Sequence, residues 1–135
     1  MKPHHLILST LCALALSPLH AHPIPEELKQ NGWFIGCQAY TFKEFSAFEA
    51  IAKTKEAGGN MIEFYPGQKL KPGSDVKVHH TMSDEARNEL LAECKRLGVR
   101  AVNYGVVNTN KAEEVDQIMA FADKMGLYAV CSEST

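Results

Sequence analysis

Apolar and polar positions change period several times along this chain, and each change predicts an element. The run W-F-I-G-C-Q-A-Y-T-F from Trp33 is almost unbroken in aromatic and aliphatic residues, as a buried strand is. Ser46 then opens a helix, and Glu49 three positions on completes a capping box. Ala47, Ala50, Ile51 and Ala57 form an apolar stripe at helical spacing, widened by Phe48, and Gly58 with Gly59 supplies a left-handed stop. The run N-M-I-E-F-Y-P-G follows at once, too soon for anything but a strand returning parallel to the first. Strand, helix, strand makes one βαβ unit.

The remainder repeats it. Residues 67–82 hold a proline, two glycines and three lysines, which marks a loop beyond the carboxyl end of a strand. Parallel α/β folds place their chemistry on that side. His79 and His80 are adjacent in this loop, so they cannot easily face one metal and read as a solvated pair. Ser83 caps a second helix with Asp84 and Glu85 in its first turn and Lys95 and Arg96 in its last. Leu90, Leu91, Cys94 and Leu97 form its buried face, and Gly98 stops it. A third strand is predicted over 99–107. Asn110 with Glu113 makes another capping box, for a helix with an apolar face of Val115, Ile118, Met119, Ala122 and Met125. Gly126 ends that helix, and a fourth strand follows over 127–132. Helix, glycine stop and strand thus recur three times, the strongest regularity in the chain. The fold class is α/β, with about four parallel strands and three helices.

Composition narrows the picture. Residues 1–21 read as a signal peptide, with a weakly basic start, an apolar stretch over 6–16 and Leu19-His20-Ala21 as the cleavage site. That apolar stretch is short for a membrane span, so the mature chain is expected to be secreted or periplasmic, with no membrane attachment. Residues 22–31 read as a loosely ordered, proline-bearing arm with a turn of helix near 26–30, and 32–135 as a single domain. Cleavage removes Cys12 and leaves Cys37, Cys94 and Cys131, whose odd number and spacing fit neither a disulfide framework nor a CxxC metal site. They are expected to be small apolar side chains. The 14 Lys and Arg nearly balance the 16 Asp and Glu, and no basic patch interleaved with aromatics occurs, which argues against a nucleic-acid partner. Gly58-Gly59 and Gly98 end helices rather than start them, the wrong end for phosphate. No G-x-S-x-G turn for a nucleophilic hydrolase is present.

Strand alternation then sorts the side chains. With Ile35, Cys37 and Ala39 against the helices, Gly36, Gln38 and Tyr40 face inward. Ile62 and Phe64 pack outward and leave Met61, Glu63 and Tyr65 inward. The inward sets of the third and fourth strands are Ala101, Asn103 and Gly105, then Ala129, Cys131 and Glu133. Each strand therefore brings one polar side chain to the inner face: Gln38, Glu63, Asn103 and Glu133. Unpaired buried carboxylates are costly, so these groups converge either on a polar pocket or on tyrosine hydroxyls and backbone that satisfy them.

The stretches W-F-I-G-C-Q-A-Y-T-F, N-M-I-E-F-Y-P-G-Q-K-L and R-A-V-N-Y-G-V-V, in that order, resemble the sugar phosphate isomerase/epimerase family, with its xylose isomerase-like TIM barrel. The secreted bacterial members are the nearest in kind. The resemblance implies a metal-dependent transfer of a proton between carbons beside a sugar carbonyl, with two carboxylates as base and acid. It implies that Gln38, Tyr40, Glu63 and Tyr65 shape a pocket for a sugar or sugar phosphate and that Glu133 sits close to the metal of the complete barrel; with Asn103 from the strand alternation, these six are the candidate substrate-binding residues. It also sets a limit. Such a barrel needs eight βα units and about 250 residues, and this chain shows roughly half of them. The family's metal ligands and acid–base pair lie on later strands. The expectation is therefore the N-terminal half of a (β/α)8 barrel, truncated and catalytically incomplete. A divalent metal belongs to the complete barrel and none to this chain alone. The alternative is a non-catalytic half-barrel that binds a sugar and pairs with a second half-barrel or with itself. An unrelated open α/β binding domain is a third reading.

Overall fold

The repeated unit folds as four short strands in one all-parallel sheet. A computed structural model of the chain describes residues 22–133, so the signal-peptide reading of 1–21 lies outside it. Strands β1 (Gly36–Gln38), β2 (Met61–Phe64), β3 (Arg100–Val107) and β4 (Ala129–Ser132) lie side by side in sequence order. Helices α1 (Ala47–Glu56), α2 (Asp84–Leu97) and α3 (Ala112–Met125) connect them. Ile62 and Phe64 of β2, Tyr104 of β3, Ile51 of α1 and Leu90 of α2 are all essentially buried in one core between helices and sheet. The other face of the sheet carries no helix among the described residues. This is a partial, half-barrel arrangement of the α/β class.

Local chemistry explains the helix boundaries. The capping box at Ser46 forms: the Glu49 backbone N–H donates to Ser46 Oγ, and the Glu49 carboxylate accepts from the Ser46 N–H at 2.8 Å. Ser83 caps α2, and α2 and α3 end on the left-handed residues Gly98 and Gly126. The loop after β2 is more ordered than its composition suggests. Leu70 and Val78 are buried in the core, and the loop pairs with itself through Gly67 N to Val78 O and Leu70 N to Val76 O. It also caps α1, because the Ala47 and Phe48 N–H groups donate to the Lys69 and Leu70 carbonyls.

Several expectations are corrected. The first apolar run yields only three strand residues. Trp33 instead pairs back with Gln30 around a turn in which Asn31 and Gly32 have positive φ, and Ala39–Phe42 winds into a 3-10 turn. The arm is not loose: the His22 N–H donates to the Leu127 carbonyl, Asn60 Nδ2 to the Leu28 carbonyl and Gln30 Nε2 to the Gly58 carbonyl. It therefore runs beneath the sheet, past the N-terminal ends of β4 and β2. At α3 no capping box forms. The helix starts one residue later than Asn110 requires, and Thr109 serves instead, accepting from the Lys111 N–H and donating to Glu114. Ile118, Ala122 and Met125 are buried as the apolar face required, but Val115 is exposed and Phe121 lies in the core.

The largest correction concerns β3. Its register with β2 shifts between Ile62 and Glu63, so that Ala101 pairs with Ile62 but Asn103 pairs with Glu63. The extra residue is Val102. Ala101 consequently faces the helices, in the core, while Asn103 keeps its inward position. A bulge reverses the alternation beyond it, which no periodic pattern announces.

Strand β1 approaches β2 closely at one point. A Cβ on Gly36 would lie 2.6 Å from the Met61 carbonyl oxygen and 2.9 Å from its Cβ. Gly36→Ala should therefore destabilise the fold by about 1–3 kcal/mol through forced separation of the strands. Urea unfolding should show a lower midpoint at unchanged slope, and a midpoint equal to the parent's would refute this account of Gly36.

Candidate functional site

Three of the six residues expected at the site end or lie within strands, and three follow strand ends. Gln38 is the last residue of β1, and Glu63 and Asn103 lie in β2 and β3. Tyr40, Tyr65 and Glu133 sit just past the carboxyl ends of β1, β2 and β4. The parallel sheet thus brings Gln38, Glu63 and Asn103 to one face and Tyr40, Tyr65 and Glu133 to its carboxyl end.

They divide between two adjoining hollows that share Gln38. The upper one, an open cleft of about 800 Å³, is walled by Tyr40, Tyr65, Pro66, Val106 and Glu133, with Gln38 at its base. The lower one, about 300 Å³, lies deeper against the sheet between Gln38, Glu63, Val102 and Asn103, with Ile24 of the arm and Tyr128 beside it. A third hollow of about 600 Å³ opens at the other end of the strands, around Leu91, Cys94 and Met125, and holds none of the six.

The roles of the six differ. Gln38 reaches over β2 to donate from Nε2 to the Gly105 carbonyl at 3.1 Å, and its Oε1 accepts from the Tyr40 N–H. Both ends of the amide are committed, so Gln38 braces the inner face. Tyr40 is half exposed and meets Tyr65 edge-to-face, with ring centroids 5.1 Å apart and planes at 76°. Lys43 lies 5.4 Å from the Tyr40 ring centre. Burial, with smaller contributions from Tyr40 and Glu44, pushes the Tyr65 phenol above its ordinary value and keeps it a hydrogen-bond donor. Glu133 is exposed on the opposite wall, anchored by its N–H to the Val107 carbonyl. Asn103 Oδ1 is buried without a hydrogen-bond partner, an acceptor facing the lower hollow.

Cys131 was expected inward only as a small apolar side chain, and the structure adds a contact. Its thiol donates to the Glu63 carboxylate, and burial together with that carboxylate raises its pKa. Glu63 is thus met by a thiol rather than by a tyrosine hydroxyl. The inward phase of β4 named Cys131, and alignment with β2 was the missing step. Cys94 behaves as expected, buried in α2 with its thiol pushed up to about 12. The cleft walls Pro66 and Val106 carried no signal in the sequence, since both stand in loop or bulge geometry.

The histidine pair is not solvated as a pair. The His80 side chain is 5% exposed, with Nε2 3.6 Å from Glu114 Oε1 of α3 and Nδ1 3.4 Å from the Tyr104 hydroxyl of β3. The His79 ring stacks on it at 4.0 Å, and His79 Nδ1 bonds the Thr81 hydroxyl. His80 therefore ties the loop after β2 to α3, outside both hollows. Among the described residues, no three His, Cys, Asp or Glu side chains come together as a metal site.

No protein-family model and no curated protein matches the sequence. Among solved structures, the crystal structure of an uncharacterised protein from Parabacteroides distasonis ATCC 8503 is similar to this chain. Identity is 28% and the TM-score 0.73 over 76% of this chain. The match covers 44% of that longer chain, so this sequence spans less than half of it. The shared architecture is the α/β sheet and its helices.

Burial and the neighbouring His79 hold the His80 pKa below the ordinary 6.5, against an opposing pull from Glu114. The unfolded chain then binds a proton at His80 more readily than the folded one. The associated stability is complete above about pH 6.5 and is lost as pH falls below it toward the folded value. The melting temperature should drop between pH 7 and 5, a window above the ordinary carboxylate range. His80→Gln should flatten that slope, and an unchanged slope would show that another group sets it.

Proposed function

We propose that this chain is the N-terminal half of a secreted or periplasmic sugar isomerase/epimerase-like barrel, and that its inner face binds a sugar or sugar phosphate. The observation that carries this reading is the convergence of Tyr40, Tyr65 and Glu133 around one cleft at the carboxyl ends of the strands. Two tyrosine rings set edge-to-face offer apolar surface to the C–H face of a pyranose, while Glu133 and the Tyr65 hydroxyl can bond its hydroxyl groups. The unpartnered Asn103 Oδ1 below can accept from a further hydroxyl. The similarity to a longer chain supports the half-barrel view, and the sequence resemblance supplies the chemistry. No helix among the described residues is long and apolar enough to cross a membrane, in keeping with release after leader cleavage.

Catalysis is a property of the complete barrel. A divalent metal there would polarise the sugar carbonyl, but the two inner-face carboxylates, Glu63 and Glu133, do not make a ligand set with any third group. These residues do not fit a metal centre by themselves, and no reaction step is drawn through one. What they do is bind and orient. A second reading, a non-catalytic sugar-binding half-barrel, shares the same cleft and differs only in lacking any catalytic remainder.

Titration of the chain with neutral and phosphorylated aldoses and ketoses, followed by amide chemical shifts, tests the reading. Shifts should concentrate at Tyr40, Tyr65 and Glu133. Tyr40→Ala should weaken binding roughly 2- to 10-fold, the worth of one aromatic contact. Shifts scattered over the helices, or an affinity indifferent to both tyrosines, would sink it.

A further inference from the structure

We propose that a second sugar-binding pocket continues the cleft past Tyr65, so that the ligand is a glycoside of at least two units. The inference rests on the cleft reading above and extends it. The pocket, about 370 Å³, lies between Lys43 and Phe45 of the segment before α1 and Tyr65, Gln68, Lys69 and Lys71 of the loop after β2. Tyr65 lines both this pocket and the cleft. Every wall belongs to the first βαβ unit or to the loop that follows it. The edges of the sheet and its helix-free face therefore play no part.

Gln68 carries the inference. It is 2% exposed, and its Nε2 donates to the Phe45 carbonyl at 3.2 Å. That bond orients the amide and leaves Oε1 a buried acceptor with no partner. An unpaired buried polar atom is costly, and one on the wall of a pocket points to a donor that arrives with a ligand. The remaining walls say which donor. A phosphate or carboxylate brings only acceptors, and it would face Gln68 Oε1 together with the carboxylates of Glu44 and Glu49. The helix donors that could hold it are spent, since the Ala47 and Phe48 N–H groups donate to the Lys69 and Leu70 carbonyls and the Glu49 N–H to Ser46 Oγ. An ammonium brings only donors and would face Lys43, Lys69 and Lys71. A hydroxyl does both, donating to Gln68 and accepting from a lysine. Lys71 is paired with Glu89 and Lys43 lies over the Tyr40 ring, so Lys69 is the lysine left to donate. Phe45, 42% exposed, adds apolar surface for the C–H face of the second ring.

Titration with cellobiose, maltose and lactose against glucose, galactose and glucose 6-phosphate, read by backbone and side-chain amide shifts, provides the test. At least one disaccharide should bind roughly tenfold tighter than its own monosaccharides, and only disaccharides should shift the Gln68 side-chain amide. Gln68→Met should remove most of that gain and Lys69→Ala should reduce it severalfold, both with monosaccharide affinity unchanged. If Gln68→Met does not fold, Lys69→Ala carries the test alone, because that side chain is exposed and the backbone carbonyl still caps α1. Equal affinity for one and two units, or a preference that neither substitution alters, overturns the proposal. So does glucose 6-phosphate binding more tightly than every disaccharide with shifts at Lys43, Lys69 and Lys71, since the pocket would then hold an anion. Shifts at Tyr40 and Glu133 without any at Gln68 sink this pocket and spare the cleft. No shift at Tyr40 or Glu133 with any sugar sinks the cleft reading itself.

Discussion

Burying one face of a parallel sheet is the constraint on which the rest of this structure depends. Ile62 and Phe64 of β2 and Tyr104 of β3 lie against α1, α2 and α3, and that single layer supplies the core. Removing apolar surface from water contributes about 25 cal/mol per Å², so these bulky, fully buried side chains dominate the favourable side of folding. The same alternation that sends them to the helices sends Gln38, Glu63 and Asn103 the other way. A polar inner face is thus the geometric complement of the core, and its polar groups are arranged accordingly. Gln38 spends its amide on Gly105 and Tyr40, and Glu63 accepts from Cys131.

Loops at the carboxyl end tie this face to the core. The segment after β2 buries Leu70 and Val78, caps α1 with the Lys69 and Leu70 carbonyls and reaches α3 through His80 and Glu114. The α1 N-terminus therefore has its first donors occupied, which leaves little there for an anion. The arm closes the opposite end through Leu127, Gly58 and Asn60. Both ends of the sheet are held, and its edges and inner face remain accessible to a ligand or a partner.

Legibility in the sequence varied with the range of the interaction. The α1 capping box, the Ser83 cap and the glycine stops at Gly98 and Gly126 were all readable, because each is decided within a few residues. So was the division of β2 into Ile62 and Phe64 against Glu63. The α3 start differs by one residue from the Asn110 expectation: Lys111 takes the N-cap position without a side-chain cap, and Thr109 bonds Glu114 and the Lys111 N–H instead. The cleft residues Tyr40, Tyr65 and Glu133 could be named from strand phase, but their assembly around one volume depends on register across β1, β2 and β4.

By itself the sequence determined the order of strands and helices, their parallel sense and the facing of β2, because backbone periodicity and short-range capping set these. Tertiary structure alone decided the bulge at Val102, the reach of Gln38 to Gly105, the Cys131–Glu63 contact and the burial of His80. Each joins residues far apart in the chain. Their free energies arise only when separate strands and loops share one packed volume, and no local pattern encodes that meeting.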